Sequence, residues 1–373
     1  MTRMDLETAA GTALSECLAL KPGERFLIVS NPDTEQAEIA EALHEAALAL
    51  GIQPTLLFQG VKTQTDYAED YVLEAIFNAP DAFASLSTEK LGKDRHHITA
   101  PLKASDGKSY DHIFNYLLHG SRQIRAFWSP GMSIDTFSRT VAIDYSLMRS
   151  RARALCKVLD RAVSVRVTSP GGTNILVPVH GRSAYRDDGD FSLPGMGGNL
   201  PAGEVFISPT VKSAEGVIVF DGSMSDISGD ILIEKTITCN LLGGFVMECS
   251  GGEEAERLEK ALRHGMDIAA TLTKKGMAPE EALKYAVNAR HLGEFGIGLN
   301  TEARISGSML EDEKVYGTCH FAIGFNYDED APAMIHLDGL VKMPTITAML
   351  PGGDEVILMS EGHLSPGLFS YGE

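Results

Sequence analysis

ERFLIVSN (residues 24–31), EQAEIAEALHEAALALG (35–51) and QPTLLFQ (53–59) decide the fold of the amino-terminal part of this chain. The first run is continuous, apolar and carries a β-branched pair, which predicts a buried strand. The second repeats apolar residues at helical spacing and closes on Gly51, and the third is apolar again. The pattern continues with a helix over 63–79 whose acids suit the positive end of its dipole, a strand over 81–87, a helix over 109–120 and a strand over 122–129. A helix over 4–20, stopped by Pro22-Gly23, precedes them all. Such alternation predicts a mainly parallel sheet with helices on both faces. The turn after the first strand reads SNPDTE rather than GxGxxG, so no dinucleotide fingerprint is present. Trp128, at the end of a predicted strand, reads as core, and His96-His97 as a solvated loop.

Residues 133–160 read as helical and arginine-rich, a solvated linker in acidic surroundings rather than a nucleic-acid patch. From about 163 the texture changes. SVRVTSP and TNILVPV flank Gly171-Gly172 as a hairpin would, and β-rich segments follow. Helices are expected over 253–276 and from Pro279. The chain is therefore expected to hold two domains, an α/β domain over 1–160 and an α+β domain over 161–373 with a largely antiparallel or mixed sheet.

The 373 residues carry 51 acidic and 32 basic side chains, a formal net charge of -19. That balance argues against nucleic acid and against an anionic membrane surface, both of which want basic residues. Five cysteines at wide spacings, with no CxxC, suggest buried reduced thiols rather than a zinc module or a disulfide framework. Cys319 abuts His320, but neighbours on a strand face opposite ways. The first residues lack the apolar core of a signal peptide, and no run approaches a membrane span, so the cytoplasm is the expected location.

Chemistry concentrates between His291 and Asp338, where Glu294, Glu313, His320, Tyr327, His336 and Asp338 fall, three of them in glycine-rich settings that let backbone approach a ligand. Carboxylates and imidazoles are ligands of borderline divalent cations. If HLDG (336–339) is a strand, His336 and Asp338 point to one face and can meet one ion. Glu204, after Gly203 at a loop-to-strand junction, is the upstream candidate.

In this order the motifs resemble the aminopeptidase T family of metallopeptidases. LPAGEVF (200–206) resembles its first acidic motif and GEFGIG (293–298) its second; LEDEKVYGTCHFAIGFNY (310–327) resembles the segment with an acid, a His and, seven residues on, a Tyr; HLDG resembles the closing His-x-Asp. Val315 stands where the family has its third acid, and Glu313 is read as the replacement. The resemblance implies metal ligands Glu204, Glu294, Glu313, His320, His336 and Asp338 for two divalent ions (zinc, cobalt, manganese or magnesium), with Glu294 and Asp338 the candidates to bridge them. It implies that Tyr327 donates to an oxyanion, that a peptide loses its amino-terminal residue, and that the protein is a homodimer with its site in the carboxy-terminal domain. The iron-dependent dihydroxypyridine ring-cleaving dioxygenases are similar more distantly, through HLDG and through Ser213-Ala214-Glu215-Gly216 with Asp221, but have His where this chain has Glu294. Two His and one carboxylate suit iron(II), whereas a carboxylate-rich set suits hydrolysis. A non-catalytic relative that binds metal or peptide is the third alternative.

Overall fold

The computed structural model describes residues 3–369. The chain divides into two compact units. The first holds the residues up to Tyr145 together with Gly189–Ala202, and the second holds Ser146–Asp188 and everything from Gly203. The division thus falls after the first residue of the helix Tyr145–Leu159, where the sequence places it after that helix at 160. Composition changes where β texture begins, whereas the units are defined by contacts, and a contiguous division cannot show the return of 189–202.

The first unit is built on a five-stranded parallel sheet in the order 197–199, 125–128, 82–86, 25–30, 53–58. Strands Arg25–Ser30 and Ala82–Leu86 are buried along almost their whole length, as strands covered on both faces must be. The helix Glu35–Ala49 starts where the Thr34 hydroxyl accepts the Ala37 N–H, and it buries Ile39, Ala40, Leu43 and Ala47. Leu27, Val29, Val72, Ile76, Phe83 and Leu117 share one core, and Trp128 lies half-buried against it, edge-on to Phe114 at 5.9 Å.

Three expectations are corrected here. The helix expected over 63–79 covers only Asp70–Phe77, because Asp66 accepts from the Thr63 N–H and hydroxyl and ties the preceding residues into a turn. The helix expected over 109–120 gives its first residues to a short strand and turns helical at Ile113. The fifth strand, Gly197–Asn199, comes from a stretch rich in glycine and proline that carries no strand periodicity. His97 is also less solvated than expected, since its Nδ1 lies 2.6 Å from the buried carboxylate of Asp94.

The second unit carries two antiparallel sheets. One has eight strands in the order 245–250, 237–242, 215–220, 174–178, 164–168, 345–349, 355–360, 363–364, and contains the expected hairpin. Cys239 and Cys249 face each other across it as free thiols with sulfurs 3.2 Å apart. The other has seven strands in the order 231–232, 223–224, 336–342, 318–324, 292–298, 204–207, 185–187. The helices Glu253–Thr271 and Pro279–Asn288 complete the unit. Among the described residues no helix is long and apolar enough to cross a membrane.

Candidate metal centre

The seven-stranded sheet places the predicted residues by register. Its three central strands, Leu292–Gly298, Thr318–Gly324 and His336–Lys342, are buried nearly throughout. Directly opposed residues of an antiparallel pair share a face. Glu204 stands opposite Gly298 and Asp187, His320 opposite Gly296 and Leu340, Ala322 opposite Glu294 and Asp338, and His336 opposite Gly324. One face therefore presents Asp187, Glu204, Glu294, His320, His336 and Asp338 over a floor of Gly296, Gly298, Ala322 and Gly324. Cys319, on the alternate parity, faces away.

The glycines of GEFGIG do something other than approach a ligand. A β-carbon on Gly296 would lie 2.0 Å from His320 Nε2, so the residue is absent side chain to leave room for the imidazole. Gly293 and Gly298 similarly admit the carbonyls of Phe325 and Val315.

Two groups of donors result, Glu204–Glu313–His320 and Glu294–His336–Asp338, each with its ligand atoms within 4.8 Å of one another. His320 joins them, its Nε2 lying 3.1 Å from Glu294 Oε1 and 3.2 Å from Glu204 Oε2. His336 Nδ1 is 3.0 Å from the Phe325 carbonyl, and its Nε2 lies 3.5 Å from both Glu294 Oε2 and Asp338 Oδ1. Asp338 Oδ1 is buried without a hydrogen-bond donor. An imidazole turned by a backbone acceptor on Nδ1, with Nε2 aimed between two carboxylates, is the arrangement of a metal-ligating histidine. The residues present fit a divalent cation.

The electrostatics are those of crowded, desolvated charge. Burial would raise the pKa of Glu294, but the hydrogen bond from His320 and the positive charge of His336 beside it outweigh burial and hold it at about 2. Burial pushes Glu313 up to about 8 against the pull of Lys314. Burial works against protonation of His320 and His336, yet their carboxylate neighbours raise both well above the usual value.

Tyr327 sits at the rim, 48% exposed, with its ring 5.5 Å from His336 and 5.1 Å from Phe206, which stacks on Tyr185 at 5.2 Å. Partial burial and the nearby carboxylates raise its pKa and keep the phenol protonated. Glu215 lies exposed on the other sheet and Asp221 accepts the Lys342 N–H, so neither joins the donors.

Sequence reasoning missed Lys314 and Asp187. Lys314 is 1% exposed, with Nζ 2.5 Å from Glu204, 2.7 Å from Glu313 and 3.0 Å from Asp187. Both lie in charge runs, EDEK and RDD, which read as solvated surface; no periodicity marks them as buried.

A family model described as NicX: 2,5-dihydroxypyridine 5,6-dioxygenase matches residues 134–322, just over half of the 373-residue chain. The chain belongs to this family. Within the NicX family, a Pseudomonas putida protein named 2,5-dihydroxypyridine 5,6-dioxygenase is 30% identical over 125 residues. That match spans 32% of this chain and 34% of the relative, about a third of the relative's length. The solved 2,5-dihydroxypyridine dioxygenase of Pseudomonas putida KT2440 superposes with a TM-score of 0.68 at 17% identity, covering 98% of both chains. Wild-type AmpT from Thermus thermophilus superposes with a TM-score of 0.65 at 17% identity, covering 97% of this chain and 99% of that one. The two-domain fold of the NicX family is thus also that of the aminopeptidase whose motifs the sequence resembles. The family and fold together point to an enzyme.

Proposed function

We propose that this chain is a metal-dependent hydrolase that releases the amino-terminal residue of a peptide. The observation that carries the reading is the donor set: the carboxylates Glu204, Glu294 and Asp338 with two histidines on one buried face, and Glu313 brought to Glu204 and His320 from the end of the helix Met309–Asp312. Glu294, His336 and Asp338 would hold a divalent cation such as zinc, cobalt, manganese or magnesium. When bound, that ion supplies Lewis acidity and a water of lowered pKa.

The chain's own groups do the rest. Glu294, held ionised by His320 and His336, keeps negative charge where a substrate's free amine can be neutralised. Tyr327, protonated and close to His336, is placed to donate to the oxygen that gains charge as the carbonyl is attacked. A carboxylate of the set takes the proton of the attacking water and passes it to the leaving amine. Tyr185, Phe206 and Phe325 form with Tyr327 an aromatic wall for an apolar side chain. The resemblance to aminopeptidase T supports a homodimer, and the net charge of -19 supports a protein without nucleic-acid or membrane-surface partners.

The family match favours a second reading, iron(II)-dependent ring cleavage of a dihydroxylated pyridine. Glu294 speaks against it, because it leaves one histidine where a two-His, one-carboxylate iron site has two. Release of p-nitroaniline from aminoacyl-p-nitroanilides by metal-reloaded protein, abolished by chelator, is the expected result. No release with any of the four ions, together with oxygen uptake on 2,5-dihydroxypyridine with iron(II), would overturn it.

A further inference from the structure

We infer that Lys314 is a built-in cation that fills the place of a second metal ion, so that this chain takes a single divalent cation, at Glu294, His336 and Asp338. The inference deepens the metal-centre reading above and rests on it.

The two donor groups look alike in composition and differ in what already stands between their oxygens. In the Glu204–Glu313–His320 group, the Lys314 ammonium touches Glu204 Oε1 and Glu313 Oε1 and reaches Asp187 Oδ2. A lysine has three N–H donors, and three carboxylates from three separate segments take them. Those segments are the strand Glu204–Ile207, the end of the short helix Met309–Asp312 and the strand Tyr185–Asp187. A metal ion would need oxygens of the same Glu204 and Glu313 at roughly 2.0–2.2 Å, which sets two cations side by side on shared carboxylates. The Nε2 of the remaining ligand, His320, is also engaged, since it already faces Glu204 and Glu294.

Among the described residues, the carboxylates of the Glu294–His336–Asp338 group pair with histidines and with no lysine or arginine. His336 Nε2 stands 3.5 Å from two carboxylate oxygens, too far for a strong hydrogen bond; buried oxygens without a donor occur in both groups, Asp338 Oδ1 here and Glu204 Oε2 in the other, so the lysine is what separates them. Here the missing positive charge belongs to a ligand, whereas in the other group the chain provides it.

The test is metal stoichiometry on the full chain, stripped with chelator, equilibrated with manganese(II) chloride, and read by elemental analysis and calorimetry. One manganese per chain is expected for the unaltered protein, lost in Asp338→Asn and retained in Glu313→Gln. Lys314→Met is expected to take up a second ion and to gain more in melting temperature from manganese than the unaltered protein does. Should Lys314→Met fail to fold, the unaltered protein with Asp338→Asn and Glu313→Gln decides alone. Two ions in the unaltered protein would overturn the inference and leave the metal centre standing, as would one ion that Glu313→Gln abolishes and Asp338→Asn keeps. No bound ion would overturn both. One ion without peptide hydrolysis would overturn the hydrolase reading and leave Lys314's role intact.

Discussion

The two halves of the candidate centre carry nearly the same ligand types and are solved differently. Around Lys314 the negative charge of Glu204, Glu313 and Asp187 is answered from within the chain. Around His336, Glu294 and Asp338 converge with an imidazole nitrogen between them and, among the described residues, no lysine or arginine paired with them. The difference teaches that a list of ligand-type residues does not count ions. What counts them is whether a buried cation of the protein already stands among the carboxylates.

The largest effect should come from emptying the open half. Glu294→Gln or His336→Ala should lower the rate of amino-terminal release by about a thousandfold or more, since a Lewis acid supplies several kcal/mol at the transition state. An unchanged circular dichroism spectrum should accompany the loss, and steady-state turnover on a peptide checks it. Full turnover in either variant would remove the distinction between the halves.

The closed half should answer in stability. Lys314→Met leaves three buried carboxylates without their cation and should cost about 3–5 kcal/mol, measured by urea denaturation without metal. A cost near zero would show that the ammonium is not what holds that half together.

A buried imidazole without a hydrogen-bond partner sharpens the contrast. His291 is fully buried, and neither ring nitrogen has a hydrogen-bond partner among the described residues. Burial lowers its pKa to about 4. As pH falls below about 6.5 the unfolded chain takes up a proton that the folded chain refuses until about 4. Stability from this group is therefore full above about 6.5, falls by roughly 3 kcal/mol down to pH 4, and levels off below. His291→Leu should remove that component, seen as the difference between the two proteins' denaturation midpoints across the window. Parallel curves would contradict the assignment.

The smallest effect should lie at the rim. Tyr327→Phe should lower kcat by about a hundredfold with KM little changed, as expected for one donor to a developing oxyanion. A change confined to KM would make Tyr327 part of the substrate wall only.

How much was legible follows from which physics acts locally. The alternation from 24 to 87 gave the parallel sheet of the first unit, because a strand buried on both faces and a helix with one buried stripe each write their period into the chain. His336 and Asp338 lie two apart on one strand, as spacing alone requires of a shared face. GEFGIG was harder, since its glycines make room for His320 and for backbone on neighbouring strands, partners far away in sequence. Lys314 was illegible for the same reason: its burial depends on Asp187 and Glu204, each more than a hundred residues upstream. The return of 189–202 to the first unit left no compositional mark.

The central claim is that this carboxylate-rich centre hydrolyses an amide bond within a fold shared with ring-cleaving dioxygenases. The most direct measurement places the metal-reloaded protein under argon with an aminoacyl-p-nitroanilide and, in parallel, in air with 2,5-dihydroxypyridine and iron(II). The account predicts chelator-sensitive release of p-nitroaniline without oxygen, lost in Glu294→Gln, and no oxygen uptake on the pyridine. Oxygen consumption with ring opening, and no release of p-nitroaniline, would contradict it.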